Sequence, residues 1–157
     1  MRKISNTGIE LCKYQADFFE ASVNYLDCSS SFFYKQFSNS NLAKRMDKIS
    51  FLLESKDVYA ALDELKAEKN LSVGIKKESL KVMAWVGYLI RYWSFTYEIP
   101  TRRIHKIIKL EELSRLYEAY HSLDVEEAIK RISESKNIKY FGIHEDEIYI
   151  LKEKFKL

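Results

Sequence analysis

Arg91 offers the most chemistry of any single residue, because it stands alone in the most apolar stretch of the chain. Val82 to Tyr97 carries one charge in sixteen residues, and that charge is Arg91. A guanidinium held among apolar neighbours needs carboxylates or carbonyl oxygens, since an unpaired buried charge is costly. The pattern favours an internal ion pair to Asp47, Glu118 or Asp124, which would make Arg91 part of a scaffold. The other use is an open groove shared with Tyr88 and Tyr92, near one helical face, for binding a partner or an anion.

The densest basic stretch comprises Arg102, Arg103, His105, Lys106 and Lys109. It follows the turn at Ile99-Pro100-Thr101, as the second half of a helix-turn-helix would, and its cations suit phosphates such as those of promoter DNA. Ile104, Ile107 and Ile108 also fit a plain amphipathic helix with a solvated or partner-facing basic side. His105, His121 and His144 lack metal-ligand spacing and no Cys-x-x-Cys accompanies them, so no metal or cofactor is expected. A nuclease or hydrolase would need folding to unite Arg91, His121 and a tyrosine. No phosphate-cradling glycine loop, nucleophile elbow or paired-carboxylate motif supports that reading. Ser29, Ser30 and Ser31 read as helix caps rather than nucleophiles.

The elements that must position these groups are helical. Hydrophobic content of 46% against 31% charged describes a globular chain, and four glycines and one proline are too few for a turn-dense sandwich or barrel. The excess of 26 basic over 23 acidic residues is too small to demand a nucleic-acid partner. The N-terminal residues lack the apolar run of a signal peptide, so Cys12 and Cys28 are expected as reduced packing residues in a cytoplasmic protein. The run from Val82 is shorter than the roughly 20 apolar residues that span a bilayer, and it contains Arg91, so it reads as a buried helix and no membrane partner is expected.

Apolar spacing predicts a first helix from Thr7 to Leu26, then an aromatic segment with Phe32, Phe33, Tyr34 and Phe37 divided between core and surface. A third helix over Leu42 to Leu53 is expected to turn Met46, Ile49, Leu52 and Leu53 inward. Asp57 can cap a fourth, with Val58, Ala61, Leu62 and Leu65 as its stripe. Asn70 to Ile75 reads as the most mobile loop. The central helix is expected from Lys77 to Glu98. Gly87 within it costs about 1 kcal/mol against alanine and so marks a close approach by a neighbour. A basic helix to Ile108 and another from Leu110 to His121 follow, and then a helix begun by Asp124 with Glu127 in a capping-box position. Residues 1–137 form the helical domain. Residues 138–157 form a tail in the same compact unit, readable as a β-hairpin or a short helix. The expected fold class is therefore mainly α, a compact bundle around a central buried aromatic helix.

Three blocks give the chain a resemblance to a known family. They are Ser29-Ser30-Ser31-Phe32-Phe33-Tyr34-Lys35-Gln36-Phe37-Ser38-Asn39-Ser40, Trp85-Val86-Gly87-Tyr88-Leu89-Ile90-Arg91-Tyr92-Trp93, and Leu116-Tyr117-Glu118-Ala119-Tyr120-His121-Ser122-Leu123-Asp124. Together they resemble small bacterial proteins labelled antitoxins. The resemblance implies a non-enzymatic protein that neutralises a toxin encoded beside it by occluding it, and the family context points to an ADP-ribosyltransferase-type toxin. Anchors for such a partner are expected among Tyr34, Phe37, Tyr88, Arg91, Tyr92, Tyr117, Tyr120 and the C-terminal tail, which could add strands to a partner sheet.

Overall fold

A computed structural model describes residues 1–138 in full and the backbone of 140–144 and 147–150. The fold is mainly α. Its helices are α1 (Asn6–Tyr25), α2 (Ser30–Ser38), α3 (Asn41–Met46), α4 (Val58–Glu68), α5 (Leu80–Tyr97), α6 (Thr101–Ile107), α7 (Leu110–Tyr120) and α8 (Val125–Ser135). A 3-10 segment, Ile49–Glu54, lies between α3 and α4. Beyond α8, the backbone of Tyr140–His144 pairs antiparallel with Glu147–Ile150. The side chains of the expected C-terminal anchor region from 139 onward, His144 included, lie outside the described residues.

Side-chain caps start the first five helices. Ser5, Ser29, Ser40, Asp57 and Ser79 each accept the backbone N–H three residues on, satisfying a donor that the helix itself leaves free. The cap at Ser79 puts the start of α5 after Lys77, later than the apolar pattern implied. Lys77 instead secures the end of α1. Its ammonium donates to the carbonyls of Val23 and Leu26, where a cation also suits the helix dipole. The third helix is likewise divided. Phe51 is buried in the 3-10 segment, whereas Ile49 and Leu53 are exposed. The tighter turn rotates them off the stripe that an unbroken α-helix would have made. The expected capping box at α8 is absent, for Asp124 makes no side-chain cap bond and Glu127 pairs with Arg131 instead.

α1 and α5 form the principal pair. Gly87 permits it: a Cβ there would stand 2.5 Å from the Gln15 carbonyl oxygen and 2.9 Å from Phe19. Phe18 and Phe19 of α1 meet Phe33 and Phe37 of α2 with ring centroids 5.0 to 5.6 Å apart, mostly tilted or edge-on, the arrangement that ring quadrupoles favour. The expected loop from Asn70 is tethered. Ser29 and Ser30 donate backbone N–H groups to the carbonyls of Val73 and Lys76, and Gly74 adopts φ 81° with no room for a Cβ beside Ser29.

Candidate functional site

Arg91 is sealed inside the fold, 1% exposed. Its Nε donates to Gln15 Oε1 at 2.9 Å, one terminal nitrogen to Asp47 Oδ1 at 2.7 Å and Ser94 Oγ at 3.3 Å, and the other to Thr101 Oγ1 at 3.1 Å. Among the three carboxylates considered from sequence, Asp47 is the partner. Asp47 also accepts from the Thr101 hydroxyl at 2.5 Å and from the Thr101 backbone N–H at 3.3 Å. It thereby does for α6 what Pro100, with no side-chain donor or acceptor, cannot do as N-cap. The guanidinium thus joins α1, α5 and the ends of α3 and α6, and it faces no open groove. Cys12, buried near this cation, has its thiol pushed up to about 12 by desolvation, only partly offset by the Arg91 charge, and is correspondingly unreactive.

Several expected anchors are corrected by burial. Tyr34 and Phe37 are both 0% exposed, and the Tyr34 hydroxyl donates to the Ile108 carbonyl at 3.1 Å. They are core residues because α2 is covered by α1 on one side and by α6 and α7 on the other. Tyr92 does not share Arg91's surroundings. It is buried, stacks on half-buried Tyr88 and donates its hydroxyl to Glu126 Oε1 of α8 at 2.8 Å. Successive helical residues diverge by about 100°, which sends Arg91 towards α1 and Tyr92 towards α8. Tyr117 and Tyr120 are half-buried. Tyr117 packs edge-on against Trp85 and stacks on exposed His121 at 4.4 Å, so Arg91 and His121 are engaged with different partners and do not converge.

The basic stretch is presented more openly. Arg102, Lys106 and Lys109 are exposed and Arg103 is half-buried, while Ile104, His105 and Ile107 face the core. Lys109 turns back to donate to the His105 carbonyl at 2.7 Å. Partial desolvation and the neighbouring Lys35 and Lys106 charges, opposed by Glu111, hold its ammonium below the usual lysine range. Lys35 of α2, Lys106 of α6 and Lys109 at the start of α7 thus make a lysine ridge with Glu111 beside it. His105, edge-on to Tyr34 at 4.7 Å, is lowered to about 4 by desolvation first and by Lys109 and Lys35 second.

A groove with partly exposed rings and carboxylates lies elsewhere. Asp17, Glu20, Ala21, Asn24 and Tyr25 form one face of α1 at i, i+3, i+4, i+7 and i+8, and with Val58, Tyr59 and Leu80 they line a groove of about 530 Å³. Tyr25, Tyr59 and Leu80 are 39%, 53% and 43% exposed. The two rings meet edge-on at 5.2 Å, and Tyr25 is held by its hydroxyl donating to Asp63 at 2.8 Å. Lys66 stands over the Tyr25 ring at 5.3 Å. Two carboxylates and no cation line the groove, and among the described residues neither Asp17 nor Glu20 has an ion-pair partner. Sequence reasoning missed this site by concentrating on the aromatic blocks. The available signal was Tyr59, a large ring outside the stripe Val58, Ala61, Leu62 and Leu65.

No group of three or more metal-ligating side chains forms among the described residues, and no described helix is long and apolar enough to cross a membrane. No family model, curated protein or solved structure matches the chain.

Proposed function

We propose that this chain is an antitoxin-like binding protein that neutralises a toxin encoded beside it by covering the toxin's active site or substrate groove. The observation that carries this reading is the groove of α1 and α4, where two tyrosines and a leucine stay exposed beside carboxylates that have no ion pair among the described residues. Aromatic anchors bordered by polar groups are a common means of protein recognition, and their positions on helices spare much of the entropy of ordering a flexible surface. Arg91, in contrast, serves the scaffold. An ADP-ribosyltransferase-type toxin remains the proposed partner class on the strength of the sequence resemblance.

Co-expression tests the reading. The neighbouring gene product is expected to arrest growth alone, to become harmless with this chain, and to co-purify with it. A neighbour that is harmless alone, or equally toxic with this chain present, overturns it. The lysine ridge favours a second reading, in which the same protein contacts the promoter of its own operon. Promoter binding should then weaken with salt and be lost on reversing Lys35, Lys106 and Lys109 together.

A further inference from the structure

The geometry points to the groove of α1 and α4 as the docking site for a basic amphipathic segment of a partner protein, with its cations on Asp17 and Glu20 and its apolar side chains on Tyr59 and Leu80. This deepens the binding-protein reading and rests on it. The exposed face of α1 has helical spacing along its length, so it matches a partner side chain at each turn, as in helix-in-groove recognition. Ala21 lies at the centre of that face, where a small side chain lets a second backbone come near. Charge selects the occupant. Asp17 and Glu20 lack ion-pair partners among the described residues, whereas the neighbouring cations Lys66 and Lys77 are engaged by the Tyr25 ring and by the last carbonyls of α1. An acidic segment would meet like charge at both carboxylates, and a purely apolar one would leave them covered and unpaired.

The test is titration of the isotope-labelled full chain with a synthetic Leu/Lys peptide of helical amphipathic spacing, beside the same peptide with Glu for Lys. Only the Lys peptide is expected to shift amides of Asp17, Ala21, Asn24, Tyr59 and Leu80. Reversing both carboxylates, Asp17→Lys with Glu20→Lys, should weaken it about tenfold, the effect of losing two partly solvated ion pairs. Leu80→Ser weakens it through the apolar side of the groove. Equal binding of the Glu peptide, or shifts elsewhere on the chain, overturns the assignment. Groove shifts that grow with chain concentration in the absence of peptide also overturn it, by naming a second copy as the occupant. Toxin co-expression separates the two levels. If the doubly reversed chain still neutralises fully, the groove assignment falls and the antitoxin reading stands. If the unaltered chain fails to neutralise while the Lys peptide still seats in the groove, the antitoxin reading falls alone.

Discussion

Gln15 and Asp17 are two residues apart on α1, roughly 200° around the helix, and they belong to two differently built regions. Gln15 faces inward, where its amide links Arg91 to the Gly87 carbonyl at 3.0 Å and is itself fully buried. Asp17 faces outward beside Tyr25, with no ion-pair partner among the described residues. The polar groups of Gln15, Arg91 and Asp47 are satisfied by one another and by Gly87, Ser94 and Thr101. In the second region, Asp17 and Glu20 have no ion pair among the described residues, and Tyr25, Tyr59 and Leu80 stay partly exposed. One helix therefore separates the residues that hold the fold from those available for binding, and substitutions on its two faces should fail in different assays.

The largest effect is expected at Arg91. Arg91→Met strands Asp47 against the interior and leaves Gln15 and Thr101 short of a donor, which should cost about 3–5 kcal/mol in urea denaturation. Asp47→Ala should also be severe, because it leaves the buried guanidinium without its anion. Since both changes break one network, the double variant should lose less than the sum of the singles. Additive losses would falsify the description of Asp47 and Arg91 as one unit.

His105 gives the inward region its pH dependence. The native imidazole is held neutral down to about 4, whereas the unfolded chain binds the proton near the ordinary 6.5. Its contribution is therefore complete above pH 6.5, declines as the pH falls towards 4, and is absent below that, a change on the order of 3 kcal/mol. Glu64 occupies a separate window. Hydrogen bonds from Arg45 foremost, and from Lys56, hold it at about 2, so its contribution is present above pH 4.5 and lost as the pH falls towards 2. In denaturation at stepped pH, His105→Gln should flatten the upper window and leave the lower one in place.

Gly87→Ala comes next. The added methyl meets the Gln15 carbonyl oxygen of α1, and moving two packed helices apart typically costs about 1–3 kcal/mol, even after alanine's helical advantage. A melting temperature raised by this substitution would show that the α1–α5 contact is looser than described.

The close approach at Gly87 and the burial of Arg91 were legible in the sequence, because both follow from what a helix with apolar residues all round must do. The caps at Ser29 and Asp57 were legible for the same local reason. Which carboxylate meets Arg91 was not, since Asp47 is 44 residues away and only the packing of α3 brings it there. The aromatic block of α2 misled for a related reason. Tyr34 and Phe37 have ordinary anchor chemistry, and their burial depends on α6 and α7, which cover them from more than sixty residues downstream. Tyr25 and Tyr59 were overlooked because each looks like one isolated ring off a stripe, and only the pairing of α1 with α4 makes them a surface.

The smallest effect on stability belongs to that surface, and it tests the comparison most directly. Leu80→Ser removes an apolar side chain that is already 43% exposed, so it should change stability by no more than about 0.5 kcal/mol. Tyr59→Ser also gives up the edge contact with Tyr25, adding about 0.5–1.5 kcal/mol at most. Both variants should remain folded at growth temperature yet neutralise the toxin less well, whereas surviving Gly87→Ala protein should neutralise in proportion to its folded fraction. That crossing pattern requires binding and stability to reside on different surfaces, the groove bordered by Tyr59 and Leu80 and the α1–α5 contact at Gly87. If Leu80→Ser and Tyr59→Ser retain full neutralisation at equal protein levels, the exposed rings serve no partner. The lysine ridge of Lys35, Lys106 and Lys109 would then be the surface to alter next.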